Sequence, residues 1–235
     1  MPNPYFKFKQ FTIWHDKCAM KVGTDGVLLG AWANTNNIKR VLDVGTGTGL
    51  ISLMIAQRSP NAIIDAIEID EIAFLQAKNN FLNSIWSDRI NAICCDFKKY
   101  TSQEKYDLIV SNPPYFVDAL KSPDQQRSLA RHVGSLNYES LFATASKFLS
   151  ETGTIDIIIP AEAENSIIDI AWKHKFFPVR KLNVYTKPSK QCRRILFSFS
   201  FQEKKCEDQD LHIKLTDNQF SNEYNLLTRD FYLKI

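Results

Sequence analysis

The sequence predicts an α/β fold: a doubly wound, mostly parallel seven-stranded sheet with a terminal antiparallel hairpin, preceded by a short N-terminal extension. Three observations carry this. From residue 40 onward, apolar runs of strand length alternate with stretches of helix length, the pattern of a parallel sheet with helices on both faces. The first of those runs, Val41 to Val44, leads into a glycine-rich turn, Gly45-Thr46-Gly47-Thr48-Gly49. The last two runs are joined by Lys187-Pro188-Ser189-Lys190, a connection so short that its flanking strands must be antiparallel neighbours.

Taken in order, the chain opens with alternating Phe6, Phe8, Phe11 and Ile13, which implies short strands or a hairpin. Gly23-Thr24-Asp25-Gly26 is a turn or helix start, and Val27 to Ala33 suits a short buried helix. Strands are then expected near 40–44, 62–67, 90–94, 106–111, 154–159, 181–186 and 193–201, with helices near 49–58, 71–83, 137–149 and 161–175. From Glu207 onward six acidic residues outnumber three basic ones, read as a charged connector before a final structural strand, Arg229 to Ile235. The expected organisation is one domain, 1–235, comprising a hairpin and lid segment (1–38), a ligand-binding core (39–203) and a C-terminal extension (204–235).

Composition excludes several classes. With 44% apolar and 23% charged residues the chain is of ordinary globular make-up, and no apolar run nears the roughly 18 residues of a membrane span. Met1 to Lys9 interleaves aromatics with lysines and carries no secretory pattern, so a soluble, cytoplasmic protein is expected. Five cysteines without C-x-x-C spacing argue against a disulfide framework or zinc knuckle, and four scattered histidines against a metal. A net charge of +3 leaves nucleic-acid contact to local basic patches.

The glycine turn lets the backbone bend sharply and approach a ligand that any Cβ would block. It fails the dinucleotide fingerprint, because Leu50 stands where the last glycine belongs. About 20 residues on, Glu68 closes the second core strand beside Ile69, placed to accept both hydrogen bonds of a ribose diol. Asp70 is either a second such group or the cap of the helix starting at Glu71. After Tyr106 to Val110 comes Ser111-Asn112-Pro113-Pro114-Tyr115. Its prolines remove backbone donors and stiffen the turn, leaving carbonyls and the Asn112 amide to accept hydrogen bonds.

Asp43-x-Gly45-x-Gly47-x-Gly49 resembles the first motif of class I S-adenosylmethionine-dependent methyltransferases, and Asn112 to Tyr115 resembles the (D/N/S)-P-P-(Y/F/W) motif of amino methyltransferases. The resemblance implies S-adenosylmethionine as cofactor, held by Asp43, Gly45, Thr46, Gly47, Gly49, Glu68, Ile69 and Asn112, with Asp96 on the adenine amino group and Phe97 beside the ring. It implies a planar amine as methyl acceptor. Asn112 Oδ1 and the Pro113 carbonyl would each take one N–H, Pro114 supplying rigidity and Tyr115 a stacking face. Thr24 and Asp25 are candidates for a lid over the methionine end, or for the helix cap.

The segments Phe8 to Phe11 and Met20 to Trp32, with Arg127, Ala130-Arg131-His132 and the ending Asp230-Phe231-Tyr232-Leu233, resemble the bacterial tRNA1(Val) adenine-N(6)-methyltransferase family over essentially the whole chain. That implies a tRNA partner recognised through its anticodon arm, with methylation of the adenosine beside the anticodon. Two basic clusters are candidates for its phosphates: Lys121, Arg127, Arg131 and His132, and Lys187, Lys190, Arg193 and Arg194. Either is alternatively a solvated face. The rival readings are a protein-glutamine N5-methyltransferase, another nucleic-acid amino-methyltransferase, and a non-enzymatic RNA-binding scaffold. The oligomeric state is not legible.

Overall fold

A computed structural model of the chain describes residues 3–18, 21–114 and 136–234. Two short antiparallel strands, β1 (Tyr5–Lys7) and β2 (Thr12–Trp14), form the opening hairpin, with Phe8, Phe11 and Ile13 buried as their alternation requires. Helix α1 (Thr24–Trp32) follows, buried from Gly26 to Trp32. The core then runs β3 (Arg40–Val44), α2 (Leu50–Arg58), β4 (Ile63–Glu68), α3 (Glu71–Leu82), β5 (Ile90–Cys94), β6 (Tyr106–Ser111), α4 (Tyr138–Phe148), β7 (Leu149–Pro160), α5 (Glu164–Lys173), β8 (Phe177–Tyr185) and β9 (Arg194–Ser200).

With β10 (Glu207–His212) added, the large sheet has the order β10-β8-β9-β7-β6-β3-β4-β5. Only β9 is antiparallel to its neighbours, β7 and β8; every other pairing is parallel. The doubly wound, mostly parallel architecture with a terminal hairpin stands as the sequence predicts. The strands are apolar on both faces because helices cover both: Val41, Leu108, Val110 and Ile158 join one buried cluster with α1 and α2, while Leu42, Val44, Ile109, Ile155, Ile157 and Ile159 join another with α4 and α5.

The tail departs from expectation. Residues 207–212, read as a connector, form an eighth strand, β10 (Glu207–His212), parallel to β8. An edge strand with water on its outer side needs little apolar content, and here Leu211 alone is buried. No strand forms over 229–234. Helix α6 (Asn222–Thr228) lies just before that stretch, capped by Ser221, whose hydroxyl accepts the Tyr224 amide at 3.0 Å. Tyr224, Leu227, Thr228 and Phe231 recur at helical spacing and face inward. The turn beyond α6 returns to the opening hairpin, where the Lys9 amide donates to the Phe231 carbonyl at 2.8 Å and the Tyr232 ring lies 5.9 Å from Phe8.

Candidate active site

All the parallel strands end at one edge of the sheet. The chain builds outward from β3 through β4 to β5, then returns to the other side of β3 as β6. The loops after β3 and β6 therefore part in opposite directions, and the crevice between them is where open α/β sheets take ligands. Here it is a cleft of about 330 Å³ between Gly45 to Thr48 on one side and Asn112 to Pro114 on the other. The start of α1, with Thr24 and Asp25, closes a third side.

Hydrogen bonds fix the glycine loop. The amides of Gly45 and Thr46 both donate to the Ile67 carbonyl at 2.9 Å, tying the loop to the end of β4. The Gly47 amide donates to Glu68 Oε2 at 2.9 Å, and Glu68 Oε1 accepts the amides of Ile69 and Asp70 at 2.9 and 3.0 Å. Beneath the loop, Asp43 Oδ2 accepts the hydroxyls of Thr46 and Ser52 at 2.7 and 2.6 Å, while its Oδ1 is buried with no hydrogen-bond partner. Burial pushes the Asp43 carboxyl up to about 6, against the pull of those two hydroxyls.

The loop glycines divide by role. At Gly45 and Gly47, with φ of +73° and +56°, an added Cβ would meet nothing within 4 Å, so both backbones face open space in the cleft. At Gly49, with φ of +82°, a Cβ would collide with the Phe81 ring of α3. Gly49 was expected to approach the cofactor; its geometry is that of the left-handed N-cap of α2 packed against α3. The open cradle at Gly45 and Gly47, with an acidic side chain held at its end, fits an extended adenosyl amino acid.

Asp70 caps α3, its Oδ1 accepting the Ala73 amide at 2.8 Å, which resolves the choice left open for it. Asp96 follows β5, where the Cys95 amide donates to the Glu68 carbonyl at 3.0 Å, so Asp96 and Glu68 sit on adjoining strand ends. Its Oδ1 accepts the Lys98 amide at 2.9 Å. Phe97 is buried in the second apolar cluster, and Ile69 is half exposed. Across the cleft, Ser111 Oγ donates to the Val44 carbonyl at 2.8 Å and pins the start of the acceptor loop to the end of β3. Asn112, Pro113 and Pro114 line the cleft. Tyr115 lies outside the described residues, as do Lys121, Arg127, Arg131 and His132.

The second basic cluster is described. Because β8 runs parallel to the core strands, the turn after it projects from the same sheet edge as the cleft. Lys190 and Arg193 are exposed there, and Lys187 is half-buried. Arg194 differs: its Nε donates to Asp25 Oδ2 at 2.8 Å, joining β9 to the cleft wall of α1. Thr24 and Asp25 thus lie in the first turn of α1, whose N-cap is Gly23.

Some contributors were not anticipated. Lys21 lines the cleft. Asn80, buried on α3, donates to the carbonyls of Thr48 and Trp14 at 2.9 Å and accepts the Trp14 amide at 3.0 Å. Gln76 accepts the Lys17 amide at 3.1 Å. The segment after β2 is thereby bonded to α3 close to the end of β4. The Cys18 thiol is accordingly pushed up to about 11 by burial first and then by the carboxylates of Glu68, Asp70 and Asp16. Nothing but chain distance hid these hydrogen bonds: their partners lie 59, 66 and 32 residues away.

Residues 20–170 match the model of the methyltransferase small domain family. A relative from Bacteroides thetaiotaomicron, 52% identical over 236 residues and aligned over all of both chains, bears the name tRNA1(Val) (adenine(37)-N6)-methyltransferase. The chain belongs to the tRNA1(Val) adenine-N6-methyltransferase family. A second member, from Bacteroides fragilis, is 50% identical over 238 residues and again aligned over all of both chains. Among solved structures, a predicted O-methyltransferase from Agrobacterium tumefaciens superposes with a TM-score of 0.70 at 18% identity, covering 88% of this chain and 96% of its own. An O-methyltransferase from Brevibacillus brevis in complex with S-adenosyl-L-homocysteine superposes with a TM-score of 0.54 at 17% identity, over 74% of this chain and 70% of its own. Both share the class I methyltransferase fold with this family member. Among its described residues, no helix is long and apolar enough to cross a membrane, and no group of three or more His, Cys, Asp or Glu side chains is placed to hold a metal.

Proposed function

We propose that the chain transfers a methyl group from S-adenosylmethionine to the 6-amino group of an adenosine in tRNA, the adenosine at position 37 of tRNA1(Val), beside the anticodon. The observation that carries this reading is the single cleft lined by the open glycine cradle on one side and by Asn112 and Pro113 on the other. The cofactor, when bound, supplies an electrophilic methyl on a sulfonium.

The chain's residues supply positioning. Gly45, Thr46 and Gly47 run along the cofactor, Glu68 takes the ribose hydroxyls, and Asp96 and Phe97 flank the adenine. An adenine amino group is a poor nucleophile because its lone pair is delocalised into the ring. Asn112 Oδ1 and the Pro113 carbonyl each accept one of its N–H groups, which favours the pyramidal nitrogen and stabilises the positive charge that grows on it. The lone pair then points across the cleft, and attack needs alignment rather than a strong base. Pro114 stiffens this turn, and Tyr115 stacks on the base for about 1–3 kcal/mol.

Recognition of the anticodon arm falls to the basic residues at the same sheet edge, Lys187, Lys190 and Arg193, with Arg127, Arg131 and His132 from the segment after the acceptor loop. Arg194 contributes through its tie to Asp25. An adenosine in a loop costs less to extrude than one in a duplex, which suits a cleft that admits one base. The reaction takes place where tRNA is matured, in the cytoplasm.

The experiment is to incubate bulk tRNA from a strain deleted for the gene with the protein and labelled cofactor, then digest it and examine the nucleosides by mass spectrometry. New 6-methyladenosine in tRNA1(Val) is expected. Label in protein, with none in tRNA, would replace this reading with that of a glutamine methyltransferase.

A further inference from the structure

Helix α1 is apolar along nearly its whole length, and Asp25 is its one charged residue. That residue stands in the first turn, where Lys21, Gly23, Thr24, Asp25 and Gly26 form the third side of the cleft. The turn has little local support. Gly23 at the N-cap offers no side chain to the first amides, and the Val27 amide reaches the Gly23 carbonyl at 3.3 Å. It is also closely packed, since a Cβ at Gly26 would come within 3.0 Å of Leu50, the first residue of α2 behind the glycine loop. A small movement of this turn therefore changes the cleft wall directly.

Support comes from 169 residues away. Arg194 Nε donates to Asp25 Oδ2 at 2.8 Å, and Nη1 of the same guanidinium donates to the Arg193 carbonyl at 2.9 Å, tying the side chain to its own backbone. The Arg194 and Asp25 side chains are 31% and 25% exposed, so water and salt screen the pair less than one at the open surface. Arg194 is also felt at α4. Burial pushes the Tyr138 hydroxyl up to about 12, against the pull of the Arg194 charge, and that hydroxyl is buried without a hydrogen-bond partner among the described residues. Tyr138 opens the helix that follows the acceptor segment. One guanidinium thus stands between β9, the cleft wall and α4.

We infer that Arg194 is a positioning residue for the cofactor: its bond to Asp25 holds the first turn of α1 against the cleft, and its charge serves that bond rather than a tRNA phosphate. This rests on the reading of the cleft as the S-adenosylmethionine site. The basic turn beside it supplies the contrast. Lys190 and Arg193 are exposed, and a phosphate meets their full charge, whereas at Arg194 it meets a cation already paired with a carboxylate. The neighbours Arg193 and Arg194 divide accordingly, one toward tRNA and one toward the cofactor.

Titration calorimetry of the full chain with S-adenosylmethionine, in the absence of tRNA, tests this. Arg194→Met and Asp25→Asn are each expected to weaken binding by about tenfold, and the double variant by no more than either alone. Arg194→Lys, which keeps the charge, is expected to recover most of the affinity. In methyl transfer, Arg194→Met is expected to raise the KM for the cofactor while kcat and the KM for tRNA stay near wild type; Arg193→Met is expected to raise the KM for tRNA and leave cofactor affinity unchanged. Should Arg194→Met melt far below the wild type, Arg194→Lys and Asp25→Asn carry the comparison. Wild-type cofactor affinity in Arg194→Met, or losses that add in the double variant, overturns this proposal alone. A wild type that binds no S-adenosylmethionine overturns the cofactor reading and this proposal with it.

Discussion

The Glu68 carboxylate holds the Gly47 amide at 2.9 Å with one oxygen and the amides of Ile69 and Asp70 with the other. One side chain at the end of β4 thus organises both its own turn and the glycine loop of the neighbouring strand. In Glu68→Gln an amide N–H₂ replaces one of these acceptors and faces a donor. The affinity for S-adenosylmethionine is expected to fall by about 10- to 100-fold, or about 1.4–2.8 kcal/mol, read by titration calorimetry. An unchanged affinity would remove Glu68 from the cofactor site.

Gly45 and Gly49 separate binding from folding. Alanine at Gly45 incurs the left-handed penalty, about 1–2 kcal/mol, and places a methyl in the open cleft. Cofactor binding is expected to be lost while the protein stays folded. Alanine at Gly49 adds a collision with Phe81 to the same penalty, so its thermal midpoint is expected to fall well below that of the Gly45 variant. Scanning calorimetry of the two proteins without cofactor makes the comparison. Equal midpoints contradict the division.

In the proposed mechanism Asn112→Ala removes an acceptor that works mainly in the transition state. Methyl transfer is expected to slow by about 100-fold or more, the scale of losing one preorganised polar group elsewhere, with cofactor affinity changing far less. Single-turnover transfer of labelled methyl to tRNA measures it, and a rate within a few-fold of wild type sinks the assigned role.

Asp43 makes stability depend on pH. Its carboxyl is raised from 3.8 to about 6 by burial, so the fold favours the protonated form. The contribution is fully present below about 4 and is lost as pH rises through about 6. A gap of about two units corresponds to something on the order of 3 kcal/mol. The thermal midpoint of the wild type, relative to that of Asp43→Asn, is expected to fall between about pH 4 and pH 6. Midpoint curves that run parallel across that window would show that Asp43 does not titrate there.

What was legible in the sequence was local. Val41 to Val44 running into Gly45, Glu68 at the end of its strand, and Asn112-Pro113-Pro114 after a buried strand each carry their structure in a few consecutive residues, and the parallel sheet brings those strand ends together. Residues 207–212 were missed because a parallel edge strand needs only Leu211 inside, and its acidic neighbours read as a connector. The tail was misread because Tyr224, Leu227, Thr228 and Phe231 signal a helix that starts earlier than the aromatic ending suggests. Gln76 and Asn80 gave no signal, since polar residues on a helix normally face water and their partners lie 59 and 66 residues upstream. Glycine spacing did not reveal that Gly49 is also packed so closely against Phe81 that a Cβ would collide with its ring.

Asn80 joins the Trp14 main chain to the Thr48 carbonyl, across 66 and 32 residues of chain. During synthesis the hairpin of β1 and β2 emerges before its anchor on α3, which does not exist until residue 80 has left the ribosome, and its Phe231 partner follows later still. The hairpin is therefore fixed late, because contacts so distant in sequence form only after the intervening segments have closed. Until then Phe8, Phe11 and Ile13, buried in the finished fold, remain in water, and the nascent chain carries an exposed aromatic stretch prone to association.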